Sequence, residues 1–332
     1  FLAGISGFFA VCFSNGLAYL IGFNRYNIKC GYYGFNSLLV GLGLGIYYNP
    51  NFEFFIVLFF AILLTLLLTV MFEGVIGKYG LPFLSIPFLF GIWLVMLAAR
   101  QFKTLEISDR DIYTVNEIYT YGGIKLVALY EKFYEINFHE SIEIYFKSLG
   151  AIFFQYNVLA GILIAVGILF YSRIAFVLSV VGFYSAYSYY HLIGANITEL
   201  SYSYIGFNYI LTAIAIGGIF IVPSKYSFLW VILLTPLISI IITSSIAVFS
   251  IFQLSVLSLP FNIVVLLFLY ILKFRKTNLF FPEQVAIQQN SPEKNIYLQH
   301  NNKQRFVGLL KFPFSLPFKG EWTVSQGYDD VH

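Results

Sequence analysis

The sequence predicts an all-α, polytopic membrane protein. It reads as two inverted repeats of five transmembrane helices each, with the first helix of the first repeat missing and tilted or re-entrant helices within each half. Three observations carry this expectation: composition, the length of the apolar runs and an internal repeat. Of 332 residues, 59% are hydrophobic and 11% charged, and the mean hydropathy is +0.80. Soluble domains are about 45–50% apolar and about 25% charged. A disordered chain and a disulfide-rich secreted domain are excluded, and so is a soluble enzyme over most of the length. Cys12 and Cys30 lie in or beside apolar runs and imply neither a disulfide framework nor a thiolate metal site.

The apolar runs come first. In residues 1–99 the only charges are Arg25, Lys29, Glu53, Glu73 and Lys78. Runs at 1–22, 32–48, 54–72 and 86–99 approach the roughly 20 residues that cross about 30 Å of hydrocarbon. The first has no charged leader and no Met, which reads as a chain cut at its front rather than a signal peptide. Residues 100–147 bring charges back and read as a polar connector with amphipathic helices. Runs at 149–170, 173–193, 204–222, 227–250 and 256–272 follow, closed by the interfacial cations Lys273, Arg275 and Lys276. Tyrosines at 32, 33, 47, 48 and between 184 and 190 fit interfacial belts, or simply an aromatic-rich chain.

The internal repeat is the next layer. Gly34-Phe35-Asn36 and the residues to Gly45 match Gly206-Phe207-Asn208 to Gly217 at a spacing of 172. Leu20-Ile21-Gly22 pairs with Leu192-Ile193-Gly194 at the same spacing. Leu81-Pro82-Phe83-Leu84-Ser85-Ile86-Pro87-Phe88 pairs with Leu254 to Phe261 at 173. A duplicated unit is a common transporter plan. An odd number of spans per unit inverts the second copy. The helix at 149–170 has no partner downstream of residue 1, so the expected domains are a shortened first repeat (1–99), the connector (100–147) and a second repeat (148–273). A polar linker (274–316) follows.

Within the repeats, Gly41, Gly43, Gly45, Ala213, Ala215 and Gly217 permit close helix packing. Asn36 and Asn208 can cap their helices or donate to a solute. Pro87 and Pro260 lack an N–H and leave a carbonyl free, or simply start a helix. Ser85 and Ser258 can satisfy such carbonyls or line a path, and Phe88 and Phe261 can supply flat faces beside them or pack as ordinary core. No acidic pair or His relay sits in mid-membrane and no nucleotide motif is present, which favours a passive channel over a pump. The net charge of +3 comes from residues after 272, and the neutral, apolar body argues against nucleic acid.

Gly31-Tyr32-Tyr33-Gly34-Phe35-Asn36 and Leu81-Pro82-x-x-Ser85-x-Pro87-Phe88, each echoed in the second half, resemble the duplicated motifs of the urea transporter family over about residues 1–273. The resemblance implies passive conduction of urea or a similar neutral amide, two inverted five-helix repeats and a homotrimer with one pore per subunit. It implies a slot between aromatic rings flanked by oxygens. Ser85 and Ser258 match the signature threonines, while Ser255 replaces the first proline of the second copy. Residues 148–157 resemble the stretch at the pore mouth, with Phe154 as a slot ring and Ala151 where a polar side chain is usual. Pro82, Pro87, Pro260, Gly34 and Gly206 are motif positions. No cofactor is implied for the membrane part.

Trp322-Thr-Val-Ser-Gln326-Gly327-Tyr328 and the residues to His332 resemble the opening of an M23-type metallopeptidase domain beginning near 317. His332 would then be, or lie beside, the first of several zinc ligands. That resemblance implies a bacterial inner-membrane location for a multi-pass protein. Two further functions stay open: a non-conducting membrane anchor or sensor for such a peptidase, and a channel for another small solute.

Overall fold

A computed structural model describes residues 2–108, 114–134, 138–195, 205–275, 282–285 and 290–309. The chain is all-α over these residues. Helices α1 (Leu2–Ile21), α2 (Arg25–Lys29), α3 (Phe35–Tyr47), α4 (Phe52–Ile76) and α5 (Ile86–Ala99) form the first half. Helix α6 (Thr114–Tyr134) lies in the connector and bends at Gly123. The second half holds α7 (Glu140–Ala151), α8 (Val158–Tyr171), α9 (Arg173–Ile193) and α10, which runs from Gly206–Ile214 into a π turn at Ala215–Ile219. It continues with α11 (Lys225–Ile251) and α12 (Leu259–Leu272), and α13 (Pro292–Leu309) follows.

Small polar residues mark where helices begin. Asn51, Asn157 and Ser172 accept from the third N–H of α4, α8 and α9, and Ser224 with Ser227 forms a capping box on α11. Gly194, left-handed at φ 67°, ends α9.

Among the described residues three helices are long and apolar enough to cross a membrane: Leu2–Ile21, Phe52–Tyr79 and Lys225–Ile251. Five more are apolar but short, including α5, α8 and α12 at 14 residues each. Such a helix rises about 21 Å, less than the hydrocarbon thickness. The apolar runs are therefore not all single spans. The run at 149–170 is broken outright. α7 ends at Ala151, the chain turns through Phe154 at φ 60°, and α8 starts at Val158. A Cβ on Gly150 would collide with the Gln155 carbonyl, so this turn closes only on glycine. α7 also starts at Glu140, inside the polar connector, and buries Ile144 and Tyr145 in the second core.

Each half has its own core. α1 crosses α3 where a Cβ on Gly41 would sit 2.7 Å from Ala10 Cβ and from the Ser6 carbonyl. Ser6 Oγ donates to the Gly41 carbonyl at 2.8 Å across the same crossing. α9 crosses α10 the same way, with Gly182 against Ala213 and Gly217 against Leu178. Small residues and short hydroxyl bonds are the expected adhesive where lipid gives no hydrophobic drive between helices. Outward-facing residues are large and apolar: Leu20 is 80% exposed, Leu192 83% and Phe170 88%. Water would not tolerate so many; hydrocarbon does.

The two halves also end alike. Beyond α3, Asn49 N–H donates to the Glu106 carbonyl and Ser108 N–H to the Tyr47 carbonyl, both at 2.9 Å. Beyond α10, Val222 N–H donates to the Glu283 carbonyl at 2.9 Å and Val285 N–H to the Phe220 carbonyl at 3.1 Å. Residues 282–285, expected in a linker, are thus paired with the second half.

α13 docks on the same face. Asn295 Nδ2 donates to the Gly218 carbonyl at 3.0 Å, within the π turn. Glu293 Oε1 accepts from Ser172 Oγ at 2.9 Å and from Ile174 N–H at 3.0 Å, at the positive end of α9. Burial pushes the Glu293 carboxyl up, but the Ile174 N–H and the Ser172 hydroxyl outweigh it and hold the group below its ordinary value of 4.5. A depressed carboxyl stabilises the docked form fully above that ordinary value and loses its contribution as pH falls through the depressed one. Glu293→Ala at neutral pH is expected to lower hydrogen-exchange protection of residues 290–309 roughly fivefold, as for a lost hydrogen bond of about 1 kcal/mol. Acidifying the unaltered protein is expected to do the same. Unchanged protection in the variant rules out the carboxylate as the clasp.

Candidate functional site

The two signature segments meet at the centre of the molecule. Neither starts as helix. Residues 81–85 and 254–258 are turns, with Leu84 at φ 50° and Leu257 at φ 53°. A left-handed leucine is strained and persists only where its surroundings over-determine it. Here two asparagines do so. Asn36 Nδ2 donates to the Leu84 carbonyl at 3.3 Å while its Oδ1 accepts from Phe88 N–H at 3.2 Å. Asn208 Nδ2 donates to the Leu257 carbonyl at 3.1 Å while its Oδ1 accepts from Phe261 N–H at 3.2 Å. Both side chains are fully buried. Each asparagine therefore sits on one short helix and clamps the start of another, α3 on α5 and α10 on α12. In both, the amide is committed to protein backbone.

Pro87 and Pro260 lie in the first turns of α5 and α12, where the missing N–H has no intrahelical acceptor to lose. The carbonyls three residues before each helix start are instead taken by Ile86 N–H and Leu259 N–H, each at 3.2 Å. This leaves the serine hydroxyls for each other: Ser85 Oγ and Ser258 Oγ lie 2.8 Å apart.

A cavity of about 1420 Å³ runs along this junction. Asn36, Pro82, Ser85, Phe88, Phe154, Ser258 and Phe261 line it, as do Gly34, Ala151, Leu39 and Leu211. Phe88 and Phe154 meet edge to face at 6.0 Å between centroids. The Gly43 position faces Phe154, where a Cβ would come within 3.2 Å of the ring. Among the described lining residues Glu73 is the only charged one. Its described lining thus offers flat apolar faces, one hydroxyl pair and a single carboxylate.

The structure thus brings Ser85, Ser258, Phe88, Phe261, Phe154 and Asn36 to one cavity. Asn208 is bonded behind it, and Gly206 packs against Ser148 and Phe183 in the second core. His332 and the stretch 317–332 lie outside the described residues, and no cluster of three or more His, Cys, Asp or Glu occurs among the described ones.

Sequence reasoning missed Asn262. It is buried, Nδ2 donates to Ser85 Oγ at 2.8 Å and to the Ser258 carbonyl at 2.7 Å, and Oδ1 accepts from Ser85 N–H at 3.1 Å. A signal existed: an amide directly after Pro-Phe in a helix otherwise apolar but for Tyr270, where the first half carries Leu89.

A family profile described as Urea transporter matches residues 1–273, so the chain belongs to that family. A comparison with curated protein sequences returned no significant match.

If the clamps hold the signature turns, Asn36→Ala and Asn208→Ala each strand a buried carbonyl and a buried N–H. Each is expected to cost about 1–3 kcal/mol of stability. Thermal unfolding in detergent measures it, and a loss below a few tenths of that range in both variants would sink the clamp.

Proposed function

We propose that this member of the urea transporter family passes urea, or a similarly small neutral amide, through the cavity at the Ser85–Ser258 junction. Family membership over 1–273 supports urea transport, and the numerous apolar helices support a multi-pass membrane location. The observation that carries the route is the hydroxyl pair, set beside aromatic rings in a cavity whose described lining has a single charge.

The physical case is differential desolvation. Urea is planar and neutral, so its faces slide between rings such as Phe88, Phe154 and Phe261 while its edge exchanges water for hydroxyls. A neutral amide that keeps its hydrogen bonds crosses at modest cost, whereas an ion does not. Transport is downhill in this reading, since Glu73 stands in the described lining without the second acid or histidine of a proton relay.

The same reading takes the halves as inverted five-helix repeats, 1–99 and 148–273, separated by the connector, with α3, α5, α10 and α12 as the helices of the pore. Its support is the repeated contact set: the same asparagine clamp, left-handed leucine and end-of-helix pairing recur at spacings near 172. A homotrimer in a bacterial inner membrane and an M23-type domain starting near 317 belong to this proposal too, supported by the sequence resemblances. No zinc chemistry is routed through His332. Ala151, buried at the cavity wall without a side-chain oxygen to offer, favours the second reading that another small solute is the cargo.

Stopped-flow light scattering on proteoliposomes under a urea gradient tests the route. Urea equilibration is expected to exceed that of empty liposomes and to fall at least about tenfold in Ser85→Trp or Ser258→Trp, as a filled path requires. Equal flux in wild type and both variants places the route elsewhere, and a urea rate at the liposome background with fast flux of another amide makes that amide the cargo.

A further inference from the structure

One hydrogen bond to the serine pair has a fixed direction, and Asn262 supplies it. Two hydroxyls carry two protons and four lone pairs. Their mutual bond of 2.8 Å uses one proton and one lone pair. Asn262 Nδ2 takes a second lone pair, on Ser85 Oγ, at 2.8 Å, and makes a longer contact to Ser258 Oγ at 3.4 Å. An amide nitrogen only donates, so this bond has one direction. The amide cannot flip without cost. A flip would set Oδ1 against the Ser258 carbonyl, now 2.7 Å from Nδ2, and Nδ2 against Ser85 N–H, now 3.1 Å from Oδ1. Asn262 is 1% exposed, while both serines face the cavity. The first half has buried, apolar Leu89 at the matching position, so this polarity is imposed from one side only.

We propose that Asn262 is a positioning residue for transport: by donating to Ser85, with a longer contact to Ser258 Oγ, it leaves the serine pair with one free proton and at least one free lone pair, the complement of the carbonyl-and-amine edge of urea. The inference rests on the reading that urea passes this pair. Without the amide the pair keeps its proton but gains a competing acceptor and loses the bonds that orient Ser85. With an acceptor in place of the donor, Ser85 spends its proton backwards and Ser258 spends its own on Ser85. No proton then remains for a solute carbonyl.

Asn262→Asp makes that reversal switchable. Burial disfavours the charged form of a carboxyl, so raising the pH takes a buried Asp from protonated to ionised above its ordinary range. Protonated, it keeps one O–H for Ser85 or the Ser258 carbonyl; ionised, it only accepts. The test is urea flux by stopped-flow light scattering on proteoliposomes of the full chain, from pH 5 to 8, with wild type as the reference for every other response to pH. Asn262→Asp is expected to lose about tenfold of its urea permeability between pH 5 and 8 relative to wild type, the scale of one lost hydrogen bond. Asn262→Leu, which copies Leu89, is expected to give a flux lowered about fivefold on the same scale and parallel to wild type in pH. It also carries the test if the aspartate variant does not fold. A wild-type-like pH profile in Asn262→Asp, or wild-type flux in Asn262→Leu, overturns the proposal while leaving urea conduction intact. Wild-type flux equal to that of empty liposomes removes the reading beneath it, and the proposal with it.

Discussion

Everything at the centre of this molecule depends on two buried amides. Asn36 and Asn208 each satisfy one carbonyl and one N–H on a neighbouring segment, and those segments are the places where the backbone is not helical. Interrupted backbone inside an apolar body must find its partners within the protein. With the clamps in place, Leu84 and Leu257 are held left-handed, and the first turns of α5 and α12 are aimed so that Ser85 meets Ser258. Phe88 and Phe261 follow from the same geometry, one turn further on.

The packing around the clamps has to be close for them to reach. α3 and α10 can bring an asparagine to the next helix because glycine and alanine line their contacts with α1 and α9. Hydroxyls at Ser6 and Ser14 then bond to backbone across the gap that a larger residue would hold open. The polar groups buried here are hydroxyls and amides, most of them bonded within the protein; Asn15 Oδ1 and Ser148 Oγ are buried without a partner among the described residues.

The repeat, the short motifs and the family resemblance were legible because each rests on consecutive residues. The breaks were not. An apolar run has the same composition whether it is one helix or a helix and a turn, so 149–170 read as one span although Gly150 and Phe154 turn the chain within it. The serine contact joins residues 173 apart in sequence, and no pattern on either strand of text announces that the two hydroxyls touch. Asn262 was visible as an amide in an apolar helix, but its importance is relational: it needs Ser85 across the junction. Likewise residues 282–285 are polar by composition, and only their pairing with Phe220 and Val222 makes them part of the second half.

The junction has a further consequence, in time rather than in space. Within each half the helices pack on near neighbours, α1 on α3 and α4 on α5, then α9 on α10 and α11 on α12. Across the halves the bonds join distant residues: Ser85 with Ser258, Trp93 Nε1 with the Ser255 carbonyl at 2.9 Å, and Arg100 with the Phe252 and Gln253 carbonyls. A ribosome adding about 5–20 residues per second needs roughly 10–30 s to make the stretch between them. During that interval the first half stands with its turn at Ser85, its indole N–H and its guanidinium awaiting partners not yet synthesised. The central cavity therefore exists only once Ser258 and Phe261 have been made and the second half closes on the first.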